Sequence, residues 1–462
     1  MHVFSRSAAG ASRTKRCRRN SLCFEGPVWH RKRRTAFADR DFPTGKGNSA
    51  VQLLVAILKR IIRRGHLRIV DSKGRQHELG ELDCPPVTIR VRNRATEWAI
   101  VSNPQLALGE AYMDGGLTVE DGDIAALLEL LTSNLDGNFG GGHLEWINRA
   151  RLRLRRLLHG SNDRRRSRKN VVHHYDIDSR LYDLFLDSDK QYSCAFFEHD
   201  DDTLETAQAN KCRRVAAKLH LKPGQRVLDI GSGWGGLGLH LARTAQADVT
   251  GITLSREQWK IAQERVRRQG LGERVRFRLE DYRTVQGKFD RVVSVGMFEH
   301  VGVDNYATYF GRVSELLADD GVALIHSIGR SDGPGVTNPW IAKYIFPGGY
   351  TPALSEVLPV IERQGLIVTD IEILRLHYAR TLAEWRRRFV ANWDRAARLH
   401  DERFCRMWEF YLAGAEMGFR HQNLMVFQVQ VTKRVDALPI VRDYMMPEPK
   451  TADQMKRPRV MS

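Results

Sequence analysis

Between residues 171 and 435 the chain alternates short apolar runs with segments whose apolar residues recur at helical spacing. That is the pattern of strands buried between two layers of helices. Five strands are expected first, at 226–230, 248–254, 275–279, 289–295 and 322–328, with helices at 235–245 and 255–269 after the first two. A Gly- and Pro-rich insert at 329–350 precedes another helix, a strand at 367–373, an Arg-rich helical region and a final strand at 424–431. The order predicts an α/β fold, a doubly wound sheet with helices on both faces. Upstream, 50–62 carries Val51, Leu54, Leu58 and Ile61 on one helical face, and 87–101 opens with the strand-like alternation Val-Thr-Ile-Arg-Val-Arg. A small mixed domain is therefore expected at 49–135 and the larger one at 171–435, joined by a linker at 136–170 and followed by a tail at 436–462.

Composition narrows the class. The 462 residues include 42% hydrophobic and 28% charged side chains, which excludes collagenous, wholly disordered and polytopic membrane chains. The longest apolar run, near 50–58, meets Lys59 and Arg60 well short of the ~20 residues that span a bilayer. The first 48 residues hold twelve Lys and Arg against three acids, without an apolar stretch behind them; this reads as a disordered basic tail, an extension or a misassigned start, with no secretory signal. The expected location is the cytoplasm. Six scattered cysteines form no Cys-x-x-Cys pair and read as reduced thiols, with no metal site expected.

A net charge of +18 attracts polyanions, either nucleic acid or an anionic membrane face. Residues 149–169 concentrate ten basic residues around Leu152, Leu154, Leu157 and Leu158, which reads as a solvated linker helix or as a headgroup contact.

The strongest local signal is Val-Leu-Asp-Ile-Gly-Ser-Gly-Trp-Gly-Gly, residues 227–236, a buried strand entering a glycine turn at a helix start. Such a turn lets backbone amides approach a ligand, and the helix N-terminus favours a carboxylate or phosphate. Gly231, Gly233 and Gly236 also fit the dinucleotide pattern Gly-x-Gly-x-x-Gly. Asp229 two residues before the first glycine, and the lack of an acid at the end of strand two, count against a nicotinamide cofactor. Asp-x-Gly-x-Gly resembles instead the S-adenosylmethionine turn of class I methyltransferases, although the missing strand-two acid departs from most of them.

Further motifs narrow the resemblance. Tyr192-Ser-Cys-Ala-Phe-Phe197, the 228–236 turn, Gly251-Ile-Thr-Leu-Ser-Arg-Glu-Gln258, Ser294-Val-Gly-Met-Phe-Glu-His-Val-Gly302 and Phe346-Pro-Gly-Gly-Tyr350 resemble, in order and spacing, the motif series of the cyclopropane-fatty-acyl-phospholipid and mycolic-acid cyclopropane synthases. Residues 1–48 fall outside it, and Ser232 stands where the family usually has Cys. The resemblance implies a Rossmann-like class I methyltransferase domain with a smaller N-terminal domain. It implies S-adenosylmethionine contacts from Tyr192, Ser193, Asp229, Gly231, Ser232, Gly233, Trp234, Gly235, Thr253, Leu254, Ser255, Gln258, Asp281 and Tyr282. The residues agree in part: Thr253, Ser255 and Gln258 are polar at the carboxyl end of strand two, and Glu280 or Asp281 can accept from an adenine amine.

The resemblance also implies a bicarbonate site at Cys194, Glu299, His326, Ile328 and Tyr378. Taken singly, His326, Tyr378 and Cys194 read equally well as packing. Together, an acid and an imidazole at the ends of adjacent strands, beside a tyrosine, can hold a small anion if the acid is protonated or shared. The implied reaction places a methylene group across the cis double bond of an unsaturated phospholipid acyl chain. A carbon–carbon double bond is a poor nucleophile, so the site must align it with the methyl donor in a dry cavity and then remove a proton. Phe196, Phe197, Phe298, Trp340, Tyr344, Phe346 and Tyr350 are candidates for cation-stabilising faces or for packing. Expected partners are an anionic bilayer surface, met peripherally, and a second copy of the chain; nucleic acid is not expected. The alternatives are a C-methyltransferase giving a branched lipid, an amine N-methyltransferase of the same fold, and a basic binding protein that has lost catalysis.

Overall fold

The computed structural model describes residues 50–135 and 178–445. The basic segments 1–48 and 149–169 lie outside the described residues, as do 446–462.

Residues 50–135 fold around a four-stranded sheet in the order β2-β1-β3-β4, with β1 His66–Val70, β2 Gln76–Gly80, β3 Pro86–Val91 and β4 Leu117–Asp121. Four helices pack with it: α1 Ala50–Ile61, α2 Arg94–Ser102, α3 Pro104–Met113 and α4 Ile124–Ser133. The strand-like alternation at 87–101 ends early. Asn93 leaves the sheet, and its side chain accepts a hydrogen bond from the Thr96 amide, so a helix starts at Arg94. Leu67, Ile69, Leu117, Ile124 and Leu127 close this core, joined by Ala413 and Met417 from the long helix Glu402–His421.

The larger part is built on seven strands: β5 Arg226–Ile230, β6 Asp248–Thr253, β7 Val275–Leu279, β8 Phe289–Val295, β9 Leu317–Arg330, β10 Ile367–Ile373 and β11 Leu424–Thr432. Their order is β10-β11-β9-β8-β5-β6-β7; β5 to β9 pair in parallel, and β11 runs antiparallel to both its neighbours. This is the expected doubly wound sheet of class I methyltransferases. The strand order reverses between β5 and β8, so the loops after those two strands diverge and leave a crevice at their carboxyl ends. Val227, Val249, Phe277 and Val293 bury one face under helices Leu204–Lys218, Gly236–Ala245 and Arg256–Arg268, while Leu228, Ile252, Val292 and Ile325 bury the other. β9 is longer at both ends than 322–328, so His326 sits within a strand rather than at its end.

Candidate active site

Two clefts share a wall at the carboxyl ends of the parallel strands. The first, about 1200 Å³, is lined from the ends of β5 (Asp229 to Trp234), β6 (Ile252 to Leu254), β7 (Glu280 to Tyr282) and β8 (Val295 to Met297). The second, about 650 Å³, is lined by Cys194, Glu299, His326, Ile328 and Tyr378, with Thr337, Ile341, Phe346 and Tyr350 from the Gly- and Pro-rich insert. Tyr192, Ser193, Gly296 and His300 belong to both.

The glycine turn has the conformation its composition demands. Gly231, Gly233 and Gly235 all have positive φ, at 84°, 55° and 83°. A methyl group on Gly231 would lie 2.8 Å from Met297, but one on Gly233 would meet no protein atom within 4 Å. Gly233 therefore faces open cleft, where a ligand can approach the backbone. Gly235 is one layer back: its Cβ would strike Phe277 at 2.6 Å, and the residue does not line the cleft. Ser255 is also behind the wall, fully buried, capping helix Arg256–Arg268 through its Oγ and the Gln258 amide. The other twelve residues expected around S-adenosylmethionine line the cleft.

Helix Gly236–Ala245 starts without a side-chain cap, so its amides and positive dipole end are free to meet an anionic group. Asp229 is buried, and its Oδ2 has no hydrogen-bond partner among the described residues. Burial pushes its carboxyl up to about 7, partly opposed by Lys211. Thr253 Oγ1 donates to Gln258 Oε1 at 3.0 Å, placing two polar groups where the strand-two acid is missing. Asp281 is held by Arg283, through Nε at 2.9 Å and Nη2 at 2.6 Å.

The shared wall is fixed from behind. Lys211, 1% exposed, donates from Nζ to Gln191 Oε1 and to Ser193 Oγ, the latter at 3.1 Å, and Gln208 Nε2 donates to the Ser193 carbonyl at 2.9 Å. Tyr192, between them, shares a 3.0 Å hydroxyl–hydroxyl hydrogen bond with Tyr411 and stacks on Trp385. Gln191, Lys211 and His300 were not legible as site residues; a buried lysine in helix Leu204–Lys218 gives no signal of its own in the sequence.

In the second cleft, Glu299 follows β8 in the short 3-10 helix Phe298–His300. Its Oε1 accepts the Ile328 amide at 2.6 Å, while Oε2 is buried with no hydrogen-bond partner among the described residues. Burial pushes its carboxyl up to about 7, against the lowering effect of the Ile328 amide. His326, 2% exposed, lies beside Val295 of β8, and burial lowers it to about 3, so the ring is neutral. His300 is likewise lowered to about 4 by burial. Cys194 donates from Sγ to the Ala195 carbonyl at 3.3 Å, and burial keeps the thiol protonated. Tyr378 packs edge-on to Trp385 and against Phe419. The five residues of the second constellation thus line one cavity, with a neutral imidazole, a carboxyl of near-neutral pKa and no lysine or arginine among the described residues lining it.

Of the candidate aromatic faces, Phe346 and Tyr350 line the second cleft. The Tyr350 amide donates to the Glu299 carbonyl at 2.9 Å, which ties the insert to the site. The other five are used elsewhere. Phe298 stacks on Tyr306 in the core, Trp340 packs edge-on to Phe410, and Tyr344 donates to Glu110 at 2.7 Å. Arg214 covers Phe196, and Arg380 covers Phe197.

The chain is similar to known proteins over most of its length. Residues 162–429 match the family model described as mycolic acid cyclopropane synthetase, and residues 56–140 match one described as a domain of unknown function. The cyclopropane-fatty-acyl-phospholipid synthase of Escherichia coli K12 is 38% identical over 351 residues, covering 76% of this chain and 89% of that protein. A probable fatty acid methyltransferase of Pseudomonas putida is 37% identical, covering 79% and 92%. Among solved structures, mycolic acid cyclopropane synthase CmaA1 complexed with SAH and CTAB is 33% identical, with a TM-score of 0.54, covering 57% of this chain and 97% of that one.

Proposed function

The chain belongs to the mycolic acid cyclopropane synthetase family and is an S-adenosylmethionine-dependent transferase, and on that premise we propose that it transfers a methylene group from S-adenosylmethionine to the cis double bond of an unsaturated phospholipid acyl chain. The observation that carries this reading is the wall shared by the two clefts, formed by Tyr192, Ser193, Gly296 and His300. One cleft has the features of a methyl-donor site: an open glycine turn, an uncapped helix start and an unpartnered Asp229 oxygen. The other joins apolar and aromatic walls to a buried acid, imidazole and phenol. Reacting carbons brought together across that wall are held out of water, where positioning contributes most to the barrier.

Within this reading Asp229 and the helix start take the amino-acid end of the donor, Thr253 and Gln258 its ribose, and Asp281 and Tyr282 its adenine. Cys194, Glu299, His326, Ile328 and Tyr378 hold bicarbonate, which when bound supplies an anionic base next to the transferred methyl group. The fit rests on the orphaned Glu299 Oε2 and on its pKa: near neutrality the carboxyl can donate when protonated and accept a proton when ionised. The Ile328 amide orients Glu299, and its carbonyl, which accepts from Ser327 Oγ at 2.9 Å, keeps a second lone pair for a ligand. Phe346, Tyr350 and Tyr378 present aromatic rings to charge developing on the acyl chain.

Docking to an anionic bilayer is part of the same proposal. Leu53 and Ile57 are 46% and 40% exposed on α1, Trp98 is 49% exposed on α2, and Lys59, Arg60, Arg63 and Arg64 follow the apolar stripe. No helix among the described residues is long and apolar enough to cross a membrane.

Purified protein, methyl-labelled S-adenosylmethionine and unsaturated phosphatidylglycerol vesicles test the reading directly. Cyclopropane lipid, identified by mass spectrometry, is the expected product. A methyl-branched or methylene product would move the assignment to a fatty acid methyltransferase, and label recovered only in small amines would overturn it.

A further inference from the structure

Behind His326, three neighbouring strands carry a row of polar side chains across one face of the sheet. His326 on β9 is the cross-strand partner of Gln428 on β11, and Gln428 is the partner of Glu372 on β10. Side chains of directly opposed residues project to the same face, so the three lie side by side. Helix Leu204–Lys218 lays Lys218 across the row; Lys218 and Gln428 are each 2% exposed. Lys218 Nζ donates to Glu372 Oε2 and, at 2.7 Å, to Gln428 Oε1. Gln428 Nε2 lies 3.0 Å from His326 Nδ1. Arg214 Nη2 holds the other Glu372 oxygen at 3.1 Å.

The chemistry of these groups allows one proton arrangement. An ammonium has three donors and no acceptor, so the atom of Gln428 facing Lys218 must be its oxygen. The atom facing His326 is then the amide nitrogen, a donor only. Nδ1 of His326 must accept, and a neutral imidazole that accepts at Nδ1 carries its proton on Nε2. We propose that Lys218 and Gln428 are positioning residues that lock His326 as the Nε2–H tautomer, making it a hydrogen-bond donor into the second cleft. The inference rests on the reading that this cleft holds an oxyanion, because a donor locked toward the cavity has its use in binding one.

The lock divides labour between the two titratable groups. His326 cannot take up a proton at Nδ1 without breaking its bond to Gln428, so it holds the anion and stays out of proton transfer. Glu299, with its unpartnered Oε2, is the group that exchanges protons. Placing four polar side chains behind a catalytic wall is unfavourable unless each is hydrogen-bonded, and here each is. Apolar side chains in place of Gln428 and Lys218 would have left the ring free to take either tautomer.

The test uses the full-length protein labelled with ¹⁵N-histidine, with the His326 ring signals assigned by their loss in His326→Gln. Proton–nitrogen correlation spectra are expected to show the His326 proton on Nε2. In Gln428→Glu both atoms facing the row are acceptors, so the single His326 ring proton should move to Nδ1, which leaves Nε2 an acceptor toward the cleft. The bicarbonate concentration for half-maximal rate should then rise roughly tenfold or more, as befits loss of one charge-assisted hydrogen bond, with S-adenosylmethionine affinity within about twofold of the parent. An Nδ1–H ring in the parent protein overturns the proposal even if no variant folds. An unmoved proton in a folded Gln428→Glu protein overturns it as well. If the parent rate is independent of bicarbonate in carbon-dioxide-free buffer, the anion reading fails and the proposed use of the lock falls with it, while the spectra report separately on the tautomer.

Discussion

Replacing Glu299 by glutamine changes one property of the second cleft and preserves its shape. The glutamine oxygen can still accept the Ile328 amide, and its side-chain nitrogen points a donor where Oε2 now lies unpartnered, but the residue can no longer ionise. Two consequences have opposite signs. Burial raises the Glu299 carboxyl from 4.5 to about 7. A group whose folded pKa is raised leaves the folded state favoured below pH 4.5 and progressively disfavoured as pH climbs from 4.5 to 7, because the unfolded chain ionises first. At about 1.4 kcal/mol for each tenfold change in proton affinity, the ionised side chain destabilises the fold by about 3 kcal/mol above pH 7. The glutamine variant escapes this. Thermal unfolding should show it several degrees more stable than the parent at about pH 8 and close to it at about pH 5. Asp229 is raised in the same way, but it is present in both proteins and cancels. Turnover should move the other way, with kcat falling by roughly 10²–10⁴-fold for loss of a proton-transfer group, while S-adenosylmethionine affinity by calorimetry stays within about twofold because the glycine turn is untouched. A folded Glu299→Gln enzyme that forms cyclopropane lipid at the parent rate would refute the assignment and leave Glu299 a structural residue after β8. Equal stability of the two proteins at both pH values would show that the carboxyl is not desolvated as the fold requires.

Other expectations follow from single contacts. Gly233→Ala adds a methyl group into open cleft at φ 55°, so it should cost about 1–2 kcal/mol of stability and at least roughly tenfold in S-adenosylmethionine affinity; calorimetry showing parent affinity would remove the turn from the donor site. Tyr378→Phe, which deletes one hydroxyl at the second cleft, should lower kcat less than Glu299→Gln does and leave donor affinity alone, as steady-state kinetics can check. Leu53→Ser with Ile57→Ser should weaken co-sedimentation with anionic vesicles, and the parent's binding should fall as salt screens the basic residues beyond a Debye length of ~8 Å. Gly109→Val would drive a side chain into Trp340, whose indole lies 2.4 Å from the position of an added Cβ; the displaced insert should cost about 1–3 kcal/mol in melting experiments and reduce turnover on lipid.

The fold was legible where apolar periodicity is set by one sheet buried on both faces. β5, β7, β8 and β10 run over the residues expected of them, because their hydrophobic runs are bounded by polar or turn residues on both sides. The segment at 87–101 was harder. Ile89 and Val91 alternate as a strand should, but Trp98, Ile100 and Val101 continue the apolar count in a helix, and only the Asn93 side chain separates the two. Polar residues deep in the sheet were illegible for a different reason. Gln428 and Glu372 sit in runs that read as ordinary strands, and Lys218 ends a helix rich in basic residues. Their purpose exists only across three strands and a helix, in a register that no linear spacing encodes.

The same distinction explains why the donor site was easier to read than the acceptor site. A donor with a fixed shape can be met by one continuous turn, so Asp229, Gly231 and Gly233 fall within five residues and the physical demand for positive φ writes glycine into the chain. The acceptor cleft must instead enclose a flexible hydrocarbon and a small polar group at once. Its walls come from the 190–197 loop, the turn after β8, the middle of β9, the Gly- and Pro-rich insert and helix His377–Ala391. Each supplies a few residues that, singly, are as good for packing as for chemistry. What marks them as a site is an energetic debt visible only in three dimensions: Glu299 is held in the sheet crevice with one oxygen unpartnered, at a cost of about 3 kcal/mol when ionised, and nothing in the packing of β8 or β9 requires an acid there. An amide of similar size would accept from Ile328 as well without the cost of ionisation, so the carboxyl is kept for what it can exchange with a ligand.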